Sequence, residues 1–215
     1  MNQSDKDSLL KAVEAVVKMR RKLEAPPDDG ASLRHRLVFS FLLWNATTTH
    51  ALRGLAKLEK TFVDINDLRI AMIDEIVDTL GKRYPLVQER AMRMRAALND
   101  VFRREHSVDL ERLRDLPKRE ARAWLDSLDG APQYVAARVA LLGLGAHSVP
   151  VDDRLAALLC KRCRLSRTPD PEALGAFLEK RIRAADAPVA HSALQAWSDA
   201  SRTPRITVRD PARAL

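Results

Sequence analysis

An all-α fold follows from three features of the 215-residue sequence. Apolar residues recur three and four apart in segment after segment, the period that lines one face of a helix. Those segments are punctuated as helices are, with proline or glycine beyond an end and Asp, Ser or Thr before a beginning. No run of useful length alternates apolar and polar residues as a half-buried strand would, and no internal repeat or glycine-rich nucleotide loop interrupts the pattern.

In chain order, Leu9, Leu10, Val13, Val16 and Val17 form one apolar stripe between Lys and Arg residues, which predicts an amphipathic helix over 7–24. Pro26-Pro27-Asp28-Asp29-Gly30 stops it, setting 1–30 apart as an N-terminal helix and linker and leaving 31–215 as the main helical domain. Leu33 to Asn45 includes Leu37-Val38-Phe39-Ser40-Phe41-Leu42-Leu43-Trp44, apolar nearly all round, as a central buried helix must be. His50 to Phe62 is a further amphipathic helix. Asp64-Ile65-Asn66-Asp67 supplies a turn and an N-cap for one helix over Leu68 to Leu80, which Gly81 closes.

Pro85 opens a long helix to about Arg104, with Val87, Ala91, Met94, Leu98 and Val101 inward and Arg90, Arg93, Arg95, Arg103 and Arg104 assigned to its charged side. Asp109 to Leu113 is a connector, and Pro117 starts a helix over Lys118 to Leu128. A tight turn, Asp129-Gly130-Ala131-Pro132, leads into an apolar-faced helix from about Gln133 towards Gly143 and Gly145, so a helix-hairpin-helix spans about 118–145. Ala146 to Pro150 then delivers Val151-Asp152-Asp153 to a helix over Arg154 to Cys163. Further helices are expected from Glu172 to about Ala185 and from Pro188 to about Ala200, followed by a basic tail, Thr203 to Leu215.

Composition narrows the function classes. Lys and Arg outnumber Asp and Glu by 37 to 29, a net charge of +8 that suits a polyanionic partner. The two cysteines, Cys160 and Cys163, are too few for a disulfide framework or a four-ligand cluster and read as ordinary thiols. His50, His106, His147 and His191 stand singly, without metal-ligand spacing, so no metal or other cofactor is expected. No stretch reaches the roughly 18 apolar residues of a membrane span, and the N-terminus lacks a signal peptide's apolar region; the expectation is a soluble, cytoplasmic monomer.

The chemistry concentrates between Trp124 and Leu165. A hairpin turn that points backbone N–H groups at a helix N-terminus makes an anion site, here offered by Gly130, Ala131 and Gln133, with double-stranded DNA as the expected polyanion. The following loop brings a carboxylate to the same side of the molecule. From the residues alone, either Asp152 or Asp153 can cap the helix while the other faces a cleft. A carboxylate at a helix N-terminus is expected to stay ionised at neutral pH.

The hairpin, Leu128-Asp129-Gly130-Ala131-Pro132-Gln133-Tyr134-Val135-Ala136, followed by Val151-Asp152-Asp153-Arg154, resembles the helix-hairpin-helix core of the endonuclease III superfamily of base-excision DNA glycosylases. The separation of Tyr134 from Asp152, eighteen residues, equals the family's spacing between its lysine and its aspartate. The resemblance implies a two-lobed helical glycosylase fold, with Asp152 as the catalytic carboxylate. It places Tyr134 at the position of the Schiff-base lysine, and Asn45, Ala46, Thr47, Asp153 and Arg154 along the cleft and base-extrusion segment. Ala46 stands where the family carries a glutamine that fills the gap left by an extruded base, with Asn45 one residue earlier as its substitute or as a helix cap. The family's Schiff-base amine is missing at Tyr134, and the sequence beyond residue 163 has no cysteine for an iron–sulfur cluster. Two functions remain open: a monofunctional DNA glycosylase, or a DNA-binding relative without catalysis, for which Ala46, Pro132 and the Asp153-Arg154 pair speak.

Overall fold

The computed structural model describes residues 3–19 and 30–201. Among them every regular element is helical: α1 (Gln3–Met19), α2 (Leu33–Leu43), α3 (Thr48–Thr61), α4 (Ile65–Ile70), α5 (Ile73–Leu80), α6 (Val87–Glu105), α7 (Lys118–Asp126), α8 (Gln133–Leu144), α9 (Asp153–Cys163), α10 (Pro171–Glu179) and α11 (Ala187–Ala200), with short 3-10 turns at Glu111–Arg114 and Ala184–Asp186. The expected end of the first helix, 20–24, the Pro26-Pro27 stop and the 203–215 tail lie outside the described residues. No helix among those described is long and apolar enough to cross a membrane.

Two apolar cores divide the helices into two lobes. The larger is built on α2, whose Leu33, Leu37, Phe41 and Leu42 are fully buried among residues of α3, α5, α6 and α8. Burying each such side chain stabilises the fold by roughly 1.5–3 kcal/mol, which is why a helix apolar all round must sit at the centre. The smaller core joins Leu9, Val13 and Val16 of α1 to Leu155 and Leu159 of α9, Leu174 and Leu178 of α10 and Leu194 of α11. The first helix of the chain thus packs on the last ones.

Three expected elements differ from those observed. The helix foreseen over Leu68 to Leu80 is two, because Ala71 and Met72 take extended ψ values of 148° and 150°. Asp64 caps the first piece by accepting from Asn66 and Asp67, and the Glu75 carboxylate accepts the Met72 amide at 2.7 Å to start the second. Asn99 of α6 holds the break, donating to the Arg69 carbonyl and accepting from its guanidinium. Helix α6 starts at Val87 instead of Pro85, since Leu86 adopts left-handed backbone (φ +53°). Helix α10 ends at Glu179, where Arg181 and Ile182 both donate to the Leu178 carbonyl and the Ile182 carbonyl faces His147.

Candidate active site

The two lobes meet at a clasp formed by the end of α2 and the start of α9. Val149 and Val151 anchor the loop before α9 in the smaller core, and Glu179 accepts from the Val149 amide, Ser148 and Arg122. Asp152 is thereby set as the N-cap of α9, its Oδ1 accepting the Leu155 amide at 2.8 Å. Its Oδ2 accepts the Asn45 amide, also at 2.8 Å, from the other lobe. Asn45 follows the end of α2 with φ +55°, a conformation asparagine tolerates better than most residues. Its side chain completes the clasp: Oδ1 accepts the Arg154 amide at 3.0 Å and Nδ2 donates to Asp153 Oδ2 at 3.0 Å. The capping role therefore falls to Asp152, while Asp153 receives the Asn45 amide group.

Asp152 is 6% exposed. Burial pushes its carboxyl up to about 6, against the pull of the Leu155 and Asn45 amides and the Arg154 charge, which favour the anion. Desolvation thus outweighs the helix N-terminus that the sequence suggested would dominate, though the group remains largely ionised at pH 7. The nearby Arg90 cation is wholly buried, not part of a charged helix face as expected. Its guanidinium donates to the carbonyls of Phe41 and, at 2.6 Å, Trp44, and also to Pro85 at 2.9 Å, bracing the C-terminal end of α2 that carries Asn45. Burial lowers Arg90 to about 10, still cationic at neutral pH, with the surrounding Tyr84, Asp152, Tyr134 and Glu89 opposing the shift.

Tyr134, in the first turn of α8, is 3% exposed, and burial raises its phenol far above neutral pH. Its hydroxyl donates to Gln195 Oε1 over a long 3.4 Å, and Gln195 Nε2 is fixed on Asp199 Oδ1 at 2.9 Å. Asp199 in turn accepts the Thr48 amide at 3.1 Å. His191 packs beside Tyr134, ring centres 6.5 Å apart, and burial followed by the Arg138 charge pushes it down to about 3, so it is neutral. The seam between α8 and α11 thus holds the neutral Tyr134, Gln195 and His191, with the Asp199 carboxylate on α11 and the Asp152 carboxylate at its α9 end.

The hairpin turn is tied to α6. The Asp129 amide donates to Asp100 Oδ2 at 3.0 Å, and buried Asp100 pairs with Arg104 at 2.6 Å and with Arg103. Arg104 also reaches the Ser127 carbonyl at 2.7 Å. Gly130 has φ +72°, and a Cβ there would lie 2.9 Å from both the Arg93 carbonyl oxygen and the Ala96 methyl. Glycine is needed to seat the turn on α6. The Ala131 amide donates to the Leu128 carbonyl at 3.1 Å, whereas the Gly130 and Gln133 amides have no protein acceptor among the described residues.

Of the remaining sequence-predicted positions, Ala46 is buried with its amide on the Leu43 carbonyl, and Thr47 caps α3 through the His50 amide. Arg154 is 2% exposed and donates to Ser198 and, at 2.6 Å, to its carbonyl, holding the end of α11. Sequence reasoning missed Arg90, Gln195 and Asp199. Arg90 carried a signal, since it lies on the inward stripe of α6, three residues past Val87 and four before Met94. Cys160 and Cys163 are half-buried, with thiols facing the carbonyls of Leu165 and Ser8, and no group of three or more metal-ligating side chains occurs among the described residues.

No family model matches the sequence. DEMETER-like protein 2 of Arabidopsis thaliana is 29% identical over 136 residues, covering 61% of this chain; the chain spans about a tenth of that protein's length (10%). The structure of a trapped endonuclease III–DNA covalent intermediate superposes with a TM-score of 0.64 at 16% identity, covering 91% of this chain and 85% of that one. A thermostable thymine-DNA glycosylase gives 0.58 at 18% identity, over 89% and 86% of the two chains. The chain has the two-lobed fold of the helix-hairpin-helix DNA glycosylases.

Proposed function

We propose that the protein is a monofunctional DNA N-glycosylase, in which Asp152 assists hydrolysis of the glycosidic bond of a damaged or mismatched base. The observation that carries this reading is the Asp152 carboxylate itself: buried, ionised at neutral pH and fixed by one amide from each lobe. A preorganised anion in a site poor in water stabilises the cationic, oxocarbenium-like sugar that forms as the base leaves, and can orient the attacking water. The open amides of Gly130 and Gln133 at the α8 N-terminus grip a phosphate, the +8 charge supplies salt-sensitive affinity, and the base reaches the site by flipping out of the duplex. Tyr134 offers no amine, so the sugar is not attacked through a Schiff base and the strand stays intact.

A second reading, a DNA-binding protein without catalysis, is favoured by a specific observation. Each Asp152 oxygen already accepts an amide, and Tyr134 beside the seam is almost wholly covered. Duplexes carrying uracil, alkylated, oxidised or mismatched bases separate the two. Glycosylase activity gives free base and an abasic site that breaks only under alkali, with no adduct trapped by borohydride; binding without release from any duplex establishes the second reading.

A further inference from the structure

The positive charge of this chain is not spread evenly over its surface. On α6, expected to present a charged arginine face, Arg93 pairs with Glu89 at 2.8 Å, and Arg103 and Arg104 both pair with Asp100. Arg112 and Arg122 are paired with Glu105 and Glu179. A different set of cations has no such partners. Between α3 and the loop after α5 lies a cavity of about 490 Å3, lined by His50, Arg53, Lys57, Lys82 and Arg83 around Tyr84, with no carboxylate in its wall. All five basic side chains are exposed, and none forms an ion pair among the described residues.

The cavity is also rigidly built. Tyr84 is buried as its floor, donating to the Leu42 carbonyl at 2.8 Å and meeting the His50 ring edge-on at 6.0 Å. Gly54 permits this: a Cβ there would lie 3.0 Å from the Tyr84 ring. Lys57 Nζ caps the Leu80 carbonyl at 3.0 Å, fixing one wall against the end of α5. His50 is hydrogen-bonded to Thr47 at 2.7 Å, two residues along the chain from the Asn45 clasp on Asp152. The cavity therefore adjoins the candidate active site by a short, ordered stretch of chain.

We infer that this cavity is a second DNA-phosphate site, distinct from the hairpin, that takes a backbone phosphate of the duplex bound at Asp152. Four exposed cations, Arg53, Lys57, Lys82 and Arg83, with the His50 imidazole beside them on a fixed floor favour a polyanion, and a phosphodiester brings charge and acceptor oxygens without any donor that would need a carboxylate in the wall. This inference rests on the DNA-binding reading given above. It assigns the electrostatic share of affinity to α3 and residues 81–84 more than to the arginines of α6.

The test is the salt dependence of duplex affinity for wild type, for an Arg53→Gln/Lys82→Gln/Arg83→Gln variant, and for a control with three exposed lysines of the other lobe replaced, Lys11→Gln/Lys18→Gln/Lys161→Gln. Each phosphate contact contributes about 0.9 to the slope of log affinity against log salt, so the cavity variant should lose about 1 to 2 in slope and roughly tenfold or more in affinity at low salt, the control much less. Equal losses in both variants would mean that net charge alone acts, and an unchanged slope in the cavity variant would mean that DNA passes elsewhere; either overturns the inference and leaves DNA binding standing. Inorganic phosphate binding to wild type and lost in the cavity variant, with DNA slopes unchanged, would overturn it in favour of a free-anion site. Failure of wild type to bind duplex at all would overturn the DNA-binding reading and this inference together.

Discussion

Asp152→Asn should change how stability depends on pH, in a direction set by burial. In the unfolded chain an aspartate titrates near its ordinary 3.8, whereas in the folded protein Asp152 titrates at about 6. Between those values the folded state holds the proton more tightly. The contribution is therefore fully present below about pH 4 and is lost as pH rises through 6. A shift of roughly two units corresponds to about 3 kcal/mol. The substituted amide does not titrate, but its single oxygen can accept only one of the two amides that Asp152 holds, Leu155 or Asn45. One buried N–H then faces a donor, at a pH-independent cost of about 1–3 kcal/mol. The variant should accordingly be less stable than wild type at pH 4 and draw level with it or pass it at pH 8. Urea unfolding of both proteins at pH 4, 6 and 8 reads this directly, since every other titrating group is common to the two. Parallel curves, or a wild type that gains on the variant as pH rises, would show that the helix N-terminus and not burial governs this carboxyl.

Other perturbations follow from the same contacts. Gly130→Ala combines a left-handed backbone with a methyl 2.9 Å from the Arg93 carbonyl, so it should cost about 2–3 kcal/mol and lower the melting temperature by roughly 5–10 °C; an unchanged melting temperature would contradict the seating of the turn on α6. Arg90→Met keeps the length but strips the donors from the Phe41, Trp44 and Pro85 carbonyls, and should cost about 3 kcal/mol or more in urea unfolding, far beyond the loss from Arg83→Met at the surface.

Local periodicity and punctuation carried most of the fold. The all-apolar run of α2, the Pro117 start of α7, the Gly130 turn and the Gly145 end of α8 are written within a few residues of where they act. The clasp was not legible, because Asn45 and Asp152 lie 107 positions apart and neither residue type signals a partner at that distance. Arg154 looked like a departure from a motif, yet its reason is Ser198 on α11, 44 positions on. The break at Ala71 and Met72 has a local part, the Glu75 carboxylate on the Met72 amide, and a distant one, Asn99 of another helix on Arg69, which its own segment could not reveal. The buried Arg90 was legible in principle, as a charge standing on an apolar stripe.

Base release by wild type and Asp152→Asn, measured alongside their affinity for the same duplexes, bears most directly on the proposed function. Replacing the carboxylate removes the charge that a cationic transition state requires, while leaving Gly130, Gln133 and the basic cavity untouched. Wild type is predicted to release a base from at least one lesion-bearing duplex with the strand left intact, and Asp152→Asn to release it slower by orders of magnitude while binding as tightly or more so. Full activity in Asp152→Asn would place the chemistry elsewhere, and no release by wild type from any duplex that it binds would contradict the glycosylase assignment itself.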